Sequence, residues 1–206
     1  MTDLLVATAN KGKMCEISAV LAAGLKNIRL LTPGNLGITD VPEETGESFL
    51  ENSTLKSVFY SSRIEGILTI ADDSGLCVDT LNGAPGVRSA RYAGPDADDN
   101  RNIARLLAEL EGIEKRDAGF VSVITLSLNG SVVMSFRGEA RGEIRRSRRG
   151  QNGFGYDPVF WYPPLEKTFA ELTGEEKNRV SHRAEALNKL RDFLTGNPHL
   201  MKNGRA

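Results

Sequence analysis

The hydrophobic pattern in the first part of the chain alternates between short apolar runs and helical repeats. Residues 4–7 form an apolar run that predicts a strand, and the polar segment 8–13 ends it. From Met14, apolar residues recur at helical spacing until Gly24, and residues 28–31 predict a second strand. This order of strand, loop, helix and strand favours parallel strands and therefore an α/β sheet.

A strand and a hairpin follow. Residues 67–71 predict a buried strand that leads into a turn at Asp72 and Asp73. Two apolar runs, 121–128 and 132–136, are joined by Asn129-Gly130, which fits a type I′ turn and so predicts an antiparallel hairpin in a mixed sheet. Further helices are predicted over residues 47–64, over residues 99–110, and from a capping box at Thr173 and Glu176 to about Leu194 with a division near Ser181.

Composition and charge reduce the number of function classes that fit the chain. The net charge is −1, from 26 basic and 27 acidic residues, so the chain as a whole has no electrostatic preference for nucleic acid or membrane. No stretch approaches the roughly 20 apolar residues that cross a bilayer. Cys15 and Cys77 are expected to be free, small, buried thiols in a reducing compartment, so a cytoplasmic protein is predicted. Without interleaved aromatic residues to stack bases, a solvated loop is favoured over an RNA site for Arg141, Arg145, Arg146, Arg148 and Arg149.

The polar segment 8–13, between a strand and a helix, is a candidate anion site. Backbone N–H groups at a helix start favour phosphate, and Lys11 and Lys13 add charge. The segment does not match the Walker pattern, which has a longer glycine loop. A solvated turn capped by Thr8 or Asn10 is the alternative interpretation.

A lysine and several acids form a second candidate group. Lys56 lies on one helical face with Phe49, Asn52 and Phe59, so its ammonium either extends to solvent or meets a buried anion. Oxygen ligands suit Mg²⁺, which accepts one or two carboxylates plus substrate phosphates. The candidate ligands are Glu43, Glu44, Asp72 and Asp73, although a structural Asx-turn also fits the two aspartates.

Two later segments could contact a base. Phe154 lies between Gly153 and Gly155, where it could stack on a flat group or simply occupy a glycine-rich turn. Lys177, His182 and Arg183 could contact base and phosphate, or they could belong to a capped, solvated helix start.

Taken in order, these motifs resemble those of the inosine triphosphatase family, also called the HAM1-like or dITP/XTP pyrophosphatases. The resemblance extends from about residue 4 to residue 190 and includes Thr8-x-Asn10-x-x-Lys13, Ala71-Asp72-Asp73-Ser74-Gly75 and Phe154-Gly155-Tyr156-Asp157-Pro158. It implies a mixed α/β fold, with two lobes around a cleft forming one domain over residues 1–194. Residues 195–206 lie outside it and are predicted to form a mobile tail.

The resemblance also implies an activity and a set of site residues. A Mg²⁺-dependent homodimer would hydrolyse dITP, ITP and XTP to the monophosphate and pyrophosphate, with no nucleic-acid or membrane partner. Asp73 would be the catalytic base and, with Glu44, a metal ligand. The substrate-binding residues implied are Thr8, Ala9, Asn10, Lys11, Gly12, Lys13, Lys56, Ser74, Phe154, Gly155, Tyr156, Asp157, Lys177, His182 and Arg183.

Two alternatives remain at this point. A related Maf-type pyrophosphatase would act on other modified nucleotides, and turnover of a panel of nucleotides separates it from the first interpretation. A catalytically silent nucleotide-binding regulator is the other, but it has no need of metal-binding carboxylates such as Glu44 and Asp73.

Overall fold

The computed structural model describes residues 2–25, 27–96 and 98–201. Within them, a mixed sheet has the strand order β2-β1-β3-β4-β5-β6-β7. Strand β1 is parallel to β2 and β3, whereas β6 is antiparallel to β5 and β7. The strands β1–β7 are Thr2–Val6, Ile28–Leu31, Leu68–Val78, Asp117–Leu128, Ser131–Ile144, Phe160–Tyr162 and Lys167–Thr168. The helices α1–α5 are Lys11–Gly24, Phe49–Ser61, Asp99–Glu109, Gly174–Val180 and His182–Gly196. The predicted mixed α/β fold is confirmed.

The described chain divides into two compact units. The first comprises residues 1–73, 122–138 and 183–206, and the second comprises residues 74–121 and 139–182, each without the undescribed positions. Each unit has its own apolar core, built on buried side chains such as Leu21 and Leu187 in the first and Leu106 and Phe160 in the second. The cleft implied by the resemblance stays a prediction.

The largest difference from the sequence-based prediction concerns strand β3. It continues through Val78, so the predicted turn at Asp72 and Asp73 is wrong and both aspartates lie within a strand. Apolar residues on both sides of the acidic pair, among them Ile70 and Leu76, are fully buried and keep the strand in the core. Successive side chains of a strand point to opposite faces, so the two carboxylates have different neighbours.

The ends of three helices also differ from prediction. Helix α1 begins at Lys11 rather than Met14, because the Asn10 side chain caps it by accepting a hydrogen bond from the Lys13 N–H. Helix α2 is shorter than residues 47–64 at both ends. Helix α5 passes the predicted end at 194, and the Thr2 hydroxyl donates to the carbonyl of Met201 over 2.7 Å. Residues 202–206 of the predicted tail lie outside the described residues, and its mobility stays a prediction.

Other side chains follow the expectations in part. Neither cysteine belongs to a disulfide within the described residues, but the predicted burial is wrong, because Cys15 is exposed and Cys77 is only partly buried. Arg141 belongs to β5 and pairs with Asp79, whereas the arginines after it lie beyond the strand, where Arg146 pairs with Glu114. Two of the five arginines thus pair with exposed acids of the second unit. The interpretation of the whole cluster as a solvated loop stays a prediction.

The predicted hairpin turn gives a first testable prediction. Asn129 and Gly130 have φ values of 49° and 78°, as a type I′ turn requires. Gly130→Ala forces a side chain into this left-handed region, where it also meets Ser62 at 3.2 Å. We expect the free energy of unfolding to fall by about 1–2 kcal/mol in urea titrations.

The matched control is Gly174→Ala at the first position of α4, where an added Cβ has open space. This variant should retain wild-type stability or gain slightly. Equal stability of the two variants would contradict the turn assignment.

Candidate active site

Asp72 is the centre of a buried charge network in the first unit. Its Oδ2 pairs with Lys13 Nζ at 2.7 Å and with Arg183 Nη2 at 3.2 Å, and its Oδ1 accepts from the Ser122 hydroxyl at 2.5 Å. Burial alone would raise the pKa of Asp72, but Arg183 and Lys13 hold it well below its usual range. This carboxylate is therefore ionised and fully partnered.

The same network contains Glu16 and Lys13, three residues apart on α1. Glu16 pairs with the other terminal nitrogen of the Arg183 guanidinium. Burial lowers the pKa of Lys13, although Asp72 opposes the shift. The Lys13 side chain is 17% exposed and that of Arg183 only 2%, so the lysine is the cation with access to solvent.

Asp73 belongs to a second group on the other face of β3. The Lys56 Nζ from α2 donates to Asp73 Oδ1 at 2.8 Å, to the Asp72 carbonyl at 3.0 Å and to Glu44 Oε1 at 3.1 Å. Burial acts to lower the pKa of Lys56, but Asp73 and Glu44 outweigh it and raise the pKa. Of the two interpretations of Lys56, the structure supports the one in which its ammonium meets an anion.

The second carboxylate oxygen of Asp73 is available to accept a proton or to coordinate a cation. Asp73 Oδ2 is buried and has no hydrogen-bond partner within the described part of the chain. Burial raises the pKa of Asp73 above its usual value, although Lys56 opposes the shift. A carboxylate with an unused, desolvated oxygen is able to accept a proton or coordinate a metal ion.

The described ranges hold no group of three or more His, Cys, Asp or Glu side chains arranged around a metal position. Mg²⁺ does not require such a group, because it is usually held by one or two carboxylates together with waters and substrate phosphates. Asp73 and Glu44, which share Lys56, supply that number of carboxylates. The residues present therefore fit a Mg²⁺ ion that is completed by a nucleotide.

The predicted phosphate segment forms the junction between β1 and α1. Thr8 Oγ1 accepts a hydrogen bond from the Asn10 N–H at 3.2 Å, so both Thr8 and Asn10 stabilise the turn as the capping interpretation predicts. Ala9 and Lys11 are exposed, and Gly12 lies in the first turn of α1. The start of α1 thus presents backbone N–H groups beside Lys13, which also suits an anion.

The second unit holds the predicted base-contacting residues. A buried ion pair joins Lys177 Nζ to Asp157 Oδ2 at 2.5 Å, and the same oxygen accepts from the Phe154 N–H at 2.9 Å. Lys177 Nζ lies 4.9 Å from the centre of the Phe154 ring. The His182 ring stacks on Phe120, with centroids 4.8 Å apart.

Among the remaining predicted residues, Gly155, Tyr156 and Arg183 form hydrogen bonds or ion pairs with other residues of the protein. The Gly155 N–H donates to Asp99, and the Tyr156 hydroxyl donates to the Ser89 carbonyl at 2.9 Å. Ser74 is the partly buried residue of β3 that follows Asp73. In the first unit, Arg183 is paired with two protein carboxylates.

Sequence reasoning missed two members of the Asp72 network, Glu16 and Ser122. For Glu16 a signal existed, because it follows Lys13 by three residues and so shares its helical face. For Ser122 there was none, because it lies in an apolar strand 50 residues from Asp72.

The buried Lys177–Asp157 pair leads to a stability prediction. Lys177→Met keeps the apolar stem but leaves the Asp157 charge without its ammonium. Breaking a buried pair on one side costs about 3–5 kcal/mol, and we expect that loss in the free energy of unfolding.

Arg179→Met is the matched control on the same helix, because its pair with Glu175 is solvent-exposed. An exposed pair at this spacing contributes under about 0.5 kcal/mol. Similar losses in both variants would show that the buried pair does not support the second unit.

Comparison with known proteins assigns the chain to a family. A sequence model of the Ham1 family matches residues 4–193. The chain belongs to the Ham1 family.

Relatives within the Ham1 family cover nearly the whole chain. A dITP/XTP pyrophosphatase of Staphylococcus epidermidis is 43% identical over 200 residues, which are 97% of this chain and 100% of the relative. One from Geobacillus kaustophilus is 46% identical, over 92% of this chain and 93% of the relative.

Solved structures show the same fold. The Ham1 protein of Staphylococcus aureus is 40% identical, with a TM-score of 0.85 over 95% of this chain and 99% of that one. A HAM1 protein from Coxiella burnetii is 39% identical, with a TM-score of 0.86 over 95% of this chain and 100% of that one. The Ham1 fold is thus shared along nearly the full length.

Proposed function

We propose that this protein hydrolyses dITP, ITP, XTP and dXTP to the nucleoside monophosphate and pyrophosphate, and so removes non-standard purines from the nucleotide pool. The observation that carries the proposal is the pairing of Lys13 and Lys56 with the adjacent Asp72 and Asp73. The names of the Staphylococcus epidermidis and Geobacillus kaustophilus relatives support the substrate class.

The lysines are proposed to hold and neutralise the triphosphate. When Lys13 turns from Asp72 toward a phosphate, Arg183 and Ser122 still partner the carboxylate. Lys56 is held at the site by two carboxylates and a carbonyl, so its charge is positioned before substrate arrives. Pre-positioned charge is worth most where charge develops, here on the departing pyrophosphate.

Asp73 is proposed as the base. A water oxygen forms a bond to the α-phosphorus while the bond from that phosphorus to the bridging oxygen breaks, and the water proton passes to Asp73 Oδ2. Because this oxygen has no partner among the described residues, no existing hydrogen bond is lost on protonation. Pyrophosphate leaves with its negative charge near Lys13 and Lys56.

Mg²⁺ is proposed as the cofactor, held by Glu44 and Asp73. When bound, the ion would neutralise negative charge on the phosphate oxygens. Both carboxylates pair with the single ammonium of Lys56. One negative charge is therefore left over, and a cation would balance it.

Base selection is proposed to use hydrogen-bond donors. Hypoxanthine and xanthine present a 6-oxo acceptor, whereas adenine presents an amino donor. Lys177 and His182 carry N–H groups that can donate hydrogen bonds, and the Phe154 ring lies near Lys177. A site that donates hydrogen bonds to the 6-oxo group leaves those donors unpaired when a base without this acceptor binds. Such a site can discriminate against that nucleotide by up to about 10⁴–10⁵-fold.

A nucleotide panel tests the proposal. Purified protein with Mg²⁺ should release pyrophosphate from dITP, ITP and XTP much faster than from ATP or GTP. Equal rates for ATP and ITP would contradict the donor site, and a preference for modified pyrimidine triphosphates would favour the Maf-type alternative.

We also propose a homodimeric, cytoplasmic protein without nucleic-acid or membrane partners. None of the helices in the described ranges is both long and apolar enough to cross a membrane. Sedimentation equilibrium should give twice the 22.4 kDa chain mass, and a single-chain mass at micromolar concentration would contradict the dimer.

A further inference from the structure

We propose that Asn52 is a positioning residue that fixes the acidic loop, residues 40–47, so that Glu44 stays beside Asp73. The inference rests on the proposed function, because it concerns the carboxylate that would hold Mg²⁺. It assigns to Asn52 a part in metal affinity rather than in contact with substrate.

The Asn52 side chain binds both polar backbone groups of one loop residue. Its Oδ1 accepts a hydrogen bond from the Gly46 N–H at 2.8 Å, and its Nδ2 donates to the Gly46 carbonyl at 3.3 Å. Asn52 is 2% exposed and Gly46 is partly buried, so the two bonds are largely removed from water. A Cβ at Gly46 would lie 2.7 Å from Asn52 Oδ1, so glycine is what permits this close approach.

The helix that carries Asn52 is itself attached to the sheet. Hydroxyls at successive turns of α2 bind partners on β4 or its turn, and these contacts form a buried hydroxyl seam. In this seam Ser53 meets Thr125 at 2.8 Å, Ser57 meets Ser127 at 2.8 Å, and Ser61 accepts from the Gly130 N–H at 3.1 Å. Asn52 therefore ties the loop to a fixed element.

Further contacts hold the acidic loop at other points. The Tyr60 hydroxyl donates to the Asp40 carbonyl at 3.2 Å, and the Glu47 N–H donates to Glu51 Oε2 at 2.7 Å. Between them, residues 43–45 are exposed. Of these three attachments of the loop backbone, the Gly46 contact with Asn52 is the nearest to Glu44 in the sequence.

The spacing on α2 links this attachment to the ion pair. Asn52 and Lys56 are one turn apart on the same face, and Lys56 bonds Glu44 at 3.1 Å. The helix therefore holds the loop backbone at Gly46 and the carboxylate at Glu44. Loss of the first contact lets Glu44 move, and outer contacts of this kind typically change metal affinity by about 10–100-fold.

Hydrogen exchange of the metal-free protein tests the attachment directly. Asn52→Leu keeps the side-chain size but removes both hydrogen bonds. We expect the Gly46 amide to exchange at least about tenfold faster, with core amides of β1 unchanged. Ser57→Ala, which removes a buried hydroxyl of the same helix, should leave Gly46 exchange unchanged.

Metal titration tests the consequence. The Mg²⁺ concentration that gives half-maximal pyrophosphate release should rise about 10–100-fold in Asn52→Leu, with kcat at saturating Mg²⁺ changed less than about threefold. In a Glu44→Gln background the same substitution should cause no further rise, because Asn52 acts through Glu44.

Two results would overturn the inference: unchanged Gly46 exchange in Asn52→Leu, or an equal rise in the Glu44→Gln background. If Asn52→Leu does not fold, Gly46→Ala disturbs the same contact from the loop side and should give the same two effects. A wild-type protein that releases no pyrophosphate would defeat the proposed function instead, and the exchange measurement would still decide the attachment.

Discussion

Asp73→Asn is expected to lower kcat for dITP by about 10²–10⁴-fold, the range that general-base catalysis usually contributes. The substitution keeps the shape of the side chain and leaves Lys56 its contacts with Glu44 and the Asp72 carbonyl. It removes the one oxygen in this group that is buried and without a described partner. It also removes a proposed ligand of Mg²⁺, so weaker metal binding should accompany the loss.

The measurement is single-turnover pyrophosphate release at several Mg²⁺ concentrations, with folding checked by thermal unfolding. Asp192→Asn, in the same unit, is the control, because that carboxylate is solvent-exposed and remote in sequence from the acidic pair. If Asp73→Asn retained wild-type kcat at saturating Mg²⁺, Asp73 would be neither the base nor a required ligand.

Lys13→Ala is expected to lower kcat by about 10²–10³-fold, because loss of one pre-positioned donor costs roughly 2.7–4 kcal/mol. The lysine is the partly exposed cation of the Asp72 network, whereas Arg183 is enclosed. The fold should survive, since Asp72 keeps Arg183 and Ser122 as partners. The effect should therefore fall on catalysis rather than on expression.

Lys189→Ala is the matched control, an exposed lysine of the same unit paired with Glu185. It should leave kcat unchanged. A loss of less than about threefold in folded Lys13→Ala would remove Lys13 from the proposed phosphate site.

Local patterns predicted the elements of this fold well. The Asn129-Gly130 turn and the capping box at Thr173 follow from short-range backbone chemistry, and the structure confirms both. The division at Ser181 is also confirmed, because α4 ends there and α5 begins at His182. Such features depend on neighbours within a few residues, which a single sequence displays.

The acidic pair shows where local patterns fail. Asp and Ser residues favour turns in isolation, so a turn at Asp72 and Asp73 was the local prediction. The strand continues because distant cations and a hydroxyl satisfy the carboxylate of Asp72, and Arg183 lies 111 positions away in the sequence. The hydrogen bonds between Asn52 and Gly46 could not be predicted either, because they depend on the three-dimensional path of an exposed loop.

The decisive measurement is pyrophosphate release from dITP with and without Mg²⁺. It shows whether the site formed by Lys13, Lys56 and the two aspartates of β3 cleaves a triphosphate. We expect equimolar dIMP and pyrophosphate in the presence of Mg²⁺ and almost none after chelation. Release of inorganic phosphate and dIDP, or no reaction at all from folded protein, would contradict it.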